Sequence, residues 1–253
     1  LGDVYKRQDN DNLNETVPDF GKARNLSELS SNDIIDIIKN SGIVGLGGAG
    51  FPTSVKLSPK NPGDIDTIII NGAECEPYLT SDYRLMLEKG REIVSGVKAI
   101  LKLFPNAKAV IGIENNKPDA ISIMEEKTSN EEKISVQPLK TKYPQGGERQ
   151  LIYAVTGRKL NSKMLPADKG CIVVNTASCY AIYEAVYMCM PLVHKVMTVT
   201  GEGVNSPCNL DVPLGMSHSE VLAAAGGAKE ETVKFISGGP MMGMAMGLSL
   251  IHI

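Results

Sequence analysis

The sequence lacks tryptophan and contains few other aromatic residues, which narrows the range of ligands that it is expected to bind. Aromatic residues make up only 5% of the 253 residues, so a platform for stacking nucleic-acid bases is not predicted. The net charge is −3 and no basic run is present, which argues against a nucleic-acid surface. Apolar runs fall short of the roughly 20 residues that a membrane-spanning helix needs. No signal peptide is visible, so the predicted location is the cytoplasm.

The cysteine pattern excludes further classes of protein. The five cysteines are Cys75, Cys171, Cys179, Cys189 and Cys208, and no two of them form a C-x-x-C pair. An odd number without paired spacing argues against a disulfide framework and against a zinc or iron–sulfur site held by this chain alone. No metal-binding residue is therefore predicted. The sequence also offers no Ser/His/Asp or Cys/His set that we can assign as catalytic.

Both ends of the chain are predicted not to belong to the folded protein. Residues 1–8 (LGDVYKRQ) and 248–253 (LSLIHI) resemble translated sequencing-adapter tails. The polar stretch that follows the first of them has little periodicity, so residues 1–30 are assigned to a tail and linker. The chain is accordingly interpreted as an internal fragment of a longer protein.

Between these ends, predicted strands alternate with predicted helices. Strands of the buried type are expected at residues 65–70, 109–113, 134–138 and 171–174, and one long helix at residues 82–103. The alternation predicts an α/β domain over residues 31–192, with a mainly parallel sheet covered by helices on both faces. After Pro191 the pattern changes to short strands, turns and one short helix. This change predicts a small β-grasp-like domain over residues 193–247.

The stretch at residues 42–50 (GIVGLGGAG) contains five glycines in nine residues. Glycine permits positive φ and close approach of a ligand, and successive free N–H groups in such a loop bind anions. A helix with Ser30 and Asp33 at capping-box spacing leads into the loop. The G-x-G-x-x-G pattern from Gly45 to Gly50 therefore lacks the preceding strand of a dinucleotide-binding turn. A phosphate-bearing ligand is predicted, and a glycine-rich turn that binds nothing is the alternative.

Two acidic residues follow the predicted strand at residues 65–70. Glu74 and Glu76 flank Cys75, a few positions after Asn71. Because alternate residues of an extended segment point the same way, both carboxylates are expected to face one site at the carboxyl end of the strand. There they would bind ribose hydroxyls or ring nitrogens, or tune proton transfer. The alternative is a pair of solvated loop acids.

Other candidates lie in or beside two glycine loops. Lys56 would neutralise a phosphate or else lie on the surface, and Phe51 would stack on a ring or else fill the core. Residues 143–148 (YPQGGE) form a second glycine loop at a predicted helix start, where the helix dipole favours anions. Because none of these groups is a nucleophile, they indicate a cradle for a cofactor that itself carries the chemistry.

Three motifs resemble one known family. They are residues 45–53 (GLGGAGFPT), 71–84 (NGAECEPYLTSDYR) and 143–148. They look like the C subunit of the Rnf electron transport complex and, more distantly, like the 51 kDa flavoprotein subunit of respiratory complex I. Residues 193–247 resemble the soluble ligand-binding β-grasp (SLBB) domain that follows in these proteins. The match runs from residue 31 to residue 247, with several long motifs in order.

The resemblance implies an FMN site that takes a hydride from NADH and passes single electrons to iron–sulfur carriers. It places the FMN phosphate on the first glycine loop with Lys56, and the nicotinamide nucleotide against Phe51 and Glu148. The cofactor-binding residues carried over by motif are Gly45, Gly47, Gly48, Gly50, Phe51, Lys56, Asn71, Glu74, Glu76, Tyr143, Gly146, Gly147, Glu148, Asn175 and Ser178.

The resemblance also sets expectations for the whole protein. The family's N-terminal barrel-sandwich domain and its C-terminal cysteine motifs for two 4Fe–4S clusters are expected outside this fragment. Other subunits of a membrane complex are the implied partners, with a peripheral place on the cytoplasmic face of the inner membrane and no direct insertion. Val44 and Leu46 stand where complex I has arginines, which favours the Rnf branch. The alternatives are a cobalamin reductase of similar domain make-up and a scaffold that binds no flavin.

Overall fold

The structure is a computed structural model that describes residues 15, 16 and 18–246. Its centre is a parallel four-stranded sheet in the order β3-β2-β1-β4. The strands are β1 (Thr67–Gly72), β2 (Lys108–Glu114), β3 (Ile134–Leu139) and β4 (Cys171–Asn175). The segments predicted to be foreign, residues 1–8 and 248–253, lie outside the described residues.

Eight α-helices are found in the described part of the chain. They are α1 (Ser31–Asn40), α2 (Thr53–Lys56), α3 (Ser81–Glu88), α4 (Gly90–Leu103), α5 (Pro118–Thr128), α6 (Glu148–Thr156), α7 (Thr176–Met188) and α8 (His218–Ala224). The capping box predicted at Ser30 and Asp33 is present at the start of α1. Both of its reciprocal hydrogen bonds satisfy N–H groups that the first helical turn leaves unpaired.

The two faces of the sheet are covered unequally. On one face, Ile68 and Ile70 pack with buried side chains of α1, α3, α4, α5 and α7. On the other face, Ile69 and Val173 pack against Leu151 and its neighbours on α6. Helices on both faces of a parallel sheet confirm the predicted α/β class. Among the helices of the described residues, α6 contributes the buried side chains on this second face.

The predicted single helix over residues 82–103 is wrong, because the structure has two helices there. Lys89 separates α3 from α4 and has φ −124° and ψ 26°, outside helical values. The next residue, Gly90, packs closely on α5, where an added Cβ would lie 3.2 Å from the Met124 sulfur. Glycine is a poor helix former, and here it allows α4 to turn away and approach α5.

The C-terminal part of the described chain consists of two antiparallel strand pairs and α8. Strand β5 (His194–Val199) pairs with β6 (Cys208–Pro213), and β7 (Phe235–Ser237) pairs with β8 (Met244–Met246). Ser217 and Glu220 form a capping box at the start of α8. This arrangement agrees with the small β domain predicted after Pro191, whose boundary between residues 192 and 193 stays a prediction.

Candidate functional site

The first glycine loop connects α1 to α2 and closes on itself. The Gly45 N–H donates to the Phe51 carbonyl at 2.8 Å, and the Gly50 N–H donates to the Gly45 carbonyl at 3.2 Å. Gly48 and Gly50 have φ values of 133° and 61°, which side chains with a Cβ adopt only with strain. The helix predicted to precede the loop is present as α1.

Three successive amides at the tip of this loop are free. Within the described residues, no acceptor engages the backbone N–H groups of Gly47, Gly48 and Ala49. All three residues line a cleft. Neighbouring unpaired N–H groups in a turn form a concave site with positive partial charge, which suits an anion such as phosphate.

Ser178 and Asn175 hold the loop from the side of α7. The Leu46 N–H donates to the Ser178 hydroxyl at 2.9 Å, and Ser178 itself is buried. Asn175 caps α7 by accepting from the N–H groups of Ala177 and Ser178. A Cβ added to Gly47 would lie 3.3 Å from Asn175 side-chain atoms. Close packing between loop and cap therefore favours glycine at position 47.

The cleft lies between the first glycine loop and the outer edge of β4 and has a volume of about 1340 Å³. Asn71 and Asn175 are register partners at the carboxyl ends of β1 and β4, so the cleft opens where ligands gather in parallel sheets. The predicted site residues that line it are Gly45, Gly47, Gly48, Phe51, Lys56, Asn71, Glu148, Asn175 and Ser178.

Sequence reasoning missed the far wall of the cleft. Residues 165–170, together with Val173 and Val174, contribute to the lining. The segment contains a short 3₁₀ helix, Pro166–Lys169. Its place beside the cleft depends on β4 being an outer strand, and no local sequence signal gives the order of strands in a sheet.

Lys56 and Glu148 join the two glycine loops across the cleft. The Lys56 ammonium lies 3.0 Å from a Glu148 carboxylate oxygen and donates to the Val173 carbonyl at 3.0 Å. Both side chains are about one-third or more exposed, so the pair is accessible to solvent. A phosphate on the loop would therefore meet a lysine whose charge is already shared with Glu148.

Asn71 fixes the second glycine loop against the end of β1. Its Nδ2 donates to the Gly146 carbonyl at 2.9 Å, and its Oδ1 accepts from the Ala73 N–H at 3.2 Å. A Cβ on Gly146 would lie 3.3 Å from the Cys75 sulfur. The structure thus brings into contact Asn71 and Gly146, two residues that the resemblance assigns to the site. Among the predicted site residues in the described chain, Gly50, Glu74, Glu76, Tyr143, Gly146 and Gly147 do not line the cleft.

The prediction that Glu74 and Glu76 face one site is wrong. Glu74 has a positive φ of 48°, which breaks the alternation of an extended segment. Its carboxylate accepts from the N–H groups of Asp82 and Tyr83 at the start of α3, at 2.8 and 3.1 Å. The Glu76 carboxylate instead accepts from the Met241 N–H in the C-terminal part at 3.0 Å. Burial, and then the charge of Asp82, raise the pKa of Glu74 to about 7.

Two further properties concern ions and membranes. Across residues 15, 16 and 18–246, no group of three or more His, Cys, Asp or Glu side chains is arranged to hold a metal ion. Over the same residues, no helix combines the length and apolarity needed to cross a membrane.

Comparison with protein families gives two matches that follow the structural division. Residues 38–184 match the model of the Nuo51 FMN-binding domain, and residues 196–245 match the SLBB domain. The first match begins in α1, contains both glycine loops and ends in α7. The whole cleft therefore lies within the FMN-binding match.

Comparison with individual proteins finds similar sequences and a similar fold. The C subunit of the proton-translocating ferredoxin:NAD⁺ oxidoreductase complex of Clostridium ljungdahlii is 47% identical, over 93% of this chain and 51% of that protein. The C subunit of the Na⁺-translocating ferredoxin:NAD⁺ oxidoreductase complex of Acetobacterium woodii is 40% identical, over 97% of this chain and 55% of that protein. The chain thus spans about half the length of these relatives. A crystal structure of NAD⁺-reducing NiFe hydrogenase in the air-oxidised state shares the fold, with a TM-score of 0.68 at 22% identity over 81% of this chain and 40% of that one.

Proposed function

The chain belongs to the Nuo51 FMN-binding domain family, in the branch formed by the C subunits of Rnf complexes, and on this premise we propose that it is the flavin-binding part of an ion-translocating electron transport complex. In this role it passes electrons between NADH and iron–sulfur carriers through FMN. The partners are the other subunits of the complex, which hold the protein at the cytoplasmic face of the membrane. The 4Fe–4S clusters belong to other parts of the full-length protein.

The free N–H groups of Gly47, Gly48 and Ala49 are the observation that carries the proposal. They point to a ligand with a phosphate, and FMN has one. Glycine at positions 47 and 48 keeps the amides accessible, and Ser178 holds the loop in place through Leu46. The loop thus provides fixed dipoles for a doubly charged group without using a cation of its own.

The size and position of the cleft support a nucleotide beside the flavin. Pockets for single drug-sized ligands have volumes of roughly 300–1000 Å³, and this cleft exceeds that range with about 1340 Å³. Phe51 is 48% exposed at its wall, available for stacking on a ring. FMN, when bound, supplies the conversion of a two-electron hydride transfer into single-electron steps. The chain's own residues bind, orient and enclose the reactants.

Reconstitution with FMN tests the proposal directly. The purified protein would be mixed with FMN, freed of unbound flavin by gel filtration, and examined by visible absorption. We expect a retained flavin spectrum that NADH bleaches under anaerobic conditions. Retention without bleaching would support FMN and contradict NADH as the donor. A protein that is folded by circular dichroism yet retains no flavin would contradict the proposal.

Gly48→Ala tests the role of the free amides. Alanine at φ 133° is strained and would move the N–H groups, so we expect the FMN dissociation constant to rise by about tenfold or more. Gly201→Ala is the matched control, because Gly201 also has a large positive φ of 114° and open space around it. Gly201 does not line the cleft, so the control should bind FMN like the original protein. Equal affinity of the two variants would count against the loop as the phosphate site.

A further inference from the structure

A chain of hydrogen bonds connects the acidic loop after β1 to the first glycine loop. The Asp82 N–H donates to the Glu74 carboxylate at 2.8 Å, and the Asn175 Nδ2 donates to Asp82 Oδ2 at 2.6 Å. The Ser178 N–H donates to Asn175 Oδ1 at 3.4 Å, and the Leu46 N–H donates to the Ser178 hydroxyl at 2.9 Å. Asp82 is the second member of this chain, next to Asn175, although it does not line the cleft.

Asp82 and the start of α7 hold the Asn175 amide from opposite sides. The oxygen of that amide faces the first N–H groups of α7, and its nitrogen faces Asp82. Within the described residues, Asp82 is the acceptor for this nitrogen. The same side chain forms the wall at Gly47, where an added Cβ would lie 3.3 Å away. Removing the acceptor would leave the amide held on its oxygen side alone, so that the wall on which the loop rests could shift.

The surroundings explain how a partly buried carboxylate is kept at this position. Burial raises the pKa of Asp82, while hydrogen bonds from Asn175 and Thr176 and the charges of Lys195 and Lys117 oppose the rise. Lys117 is held close by donating to the Ala73 carbonyl at 2.9 Å. A buried carboxyl group is costly unless donors surround it. Asp82 has donors from α7 and cations from two other elements, so its oxygens are directed rather than free.

We propose that Asp82 is the positioning residue of the cleft, holding Asn175 and through it the glycine loop in the arrangement that binds the flavin phosphate. The inference rests on the proposed function for the identity of the ligand. It adds a residue outside the cleft to those that determine affinity. It also assigns a role to the start of α3, which Glu74 fixes from the other side.

The first test compares Asp82→Ala with Asp82→Asn. Alanine removes the acceptor, so we expect the FMN dissociation constant, measured by quenching of flavin fluorescence, to rise by about tenfold. Asparagine keeps an acceptor oxygen and should retain affinity within about threefold. Glu184→Ala is the control. Glu184, on the far part of α7, is also a buried carboxylate, but it faces His194 of β5. This variant should leave FMN affinity unchanged.

The second test exchanges donor and acceptor. Asn175→Asp keeps the oxygen that caps α7 but sets two carboxyl groups against each other, and should weaken FMN binding like Asp82→Ala. Adding Asp82→Asn to it restores a hydrogen bond with the roles reversed and should recover most of the affinity. This rescue keeps the proposal testable even where Asp82→Ala does not fold. A double variant no better than Asn175→Asp alone would overturn the proposal.

A readout without flavin separates this inference from the proposed function. In ¹⁵N-labelled protein, Asp82→Ala should shift the amide resonances of Leu46 and Gly47, whereas Glu184→Ala should not. If the original protein binds no FMN but these shifts appear, the proposed function fails and the positioning role stands. If the original protein binds FMN and Asp82→Ala binds it equally well with no shifts, the positioning role is refuted.

Discussion

The α/β part and the C-terminal β part of the molecule are stabilised in different ways. The sheet of the α/β part contains aliphatic side chains such as Ile68, Ile70 and Ile111 with no solvent exposure. Within residues 193–246, the buried hydrophobic residues are Val212, Val221 and Ala225, while Val233 is 96% exposed. Apolar burial of this kind contributes roughly 25 cal/mol per Å². The first part therefore has a core of its own, and the second depends on contacts with its neighbour.

Several of those contacts are polar. His194 on β5 lies between two carboxylates, with Nδ1 2.6 Å from Asp211 Oδ1 and Nε2 3.1 Å from Glu184 of α7. The Thr80 N–H before α3 donates to the Thr198 hydroxyl at 3.0 Å. A part of the molecule held by directed polar contacts responds to pH and to single substitutions locally. A part held by a core responds as a whole.

The largest effect is expected from Gly96→Ala in the α/β part. Gly96 lies where α4 crosses α7, and an added Cβ would fall 1.9 Å from the Cys179 carbonyl oxygen. Backbone atoms cannot give way as side chains can, so the helices must separate. We expect the free energy of unfolding to fall by about 3 kcal/mol or more, measured by urea denaturation. Gly63→Ala, with open space around the site, should change it by less than about 0.5 kcal/mol.

A second effect, dependent on pH, is expected at His194. The hydrogen bond to Glu184, opposed by burial and assisted by Asp211, raises the pKa of His194 from 6.5 to about 9. A raised histidine pKa means that the native state holds its proton more tightly than the unfolded state. The stability from this contact is therefore fully present below pH 6.5 and lost as pH rises through about 9.

Measuring the free energy of unfolding against pH would show this loss of stability in the original protein. A variant without the imidazole should not show it. The raised pKa of His194 corresponds to at most about 3 kcal/mol of stability. His194→Ala should remove the fall in stability between pH 6.5 and 9 and speed hydrogen exchange in β5 and β6 at neutral pH. An unchanged pH profile in the variant would mean that the contact does not hold the two parts together.

The smallest effects are expected from a matched pair of substitutions at helix caps, one in each part of the molecule. Ser30→Ala and Ser217→Ala each remove a capping box, one at α1 and one at α8. Each loss is expected to amount to about 1 kcal/mol. Ser30→Ala should lower the global free energy of unfolding, whereas Ser217→Ala should speed hydrogen exchange only around α8. Equal and global effects from both would show that the C-terminal part unfolds together with the core.

The same contrast explains how far the sequence predicts this molecule. Periodicity and capping residues predict the strands of the sheet and the helix before the glycine loop, because those signals are local. The direction of Glu74 depends on a left-handed backbone at that residue, which its sequence neighbours do not reveal. The pairing of Lys56 with Glu148 joins residues far apart in the chain. The direction of Glu74 and the Lys56–Glu148 pair both depend on how the elements pack in space. A short stretch of sequence does not contain that information.

The position of β4 at the outside of the sheet has one further consequence. An unpaired strand edge is a template for pairing with another chain, and proteins commonly block such edges with lysines or covering loops. Here Lys56 donates to the Val173 carbonyl, and the glycine loop faces the same edge across the cleft. The residues that shape the cleft thus also guard against aggregation. Substitutions made to widen it for bulkier ligands would expose β4 and favour self-association.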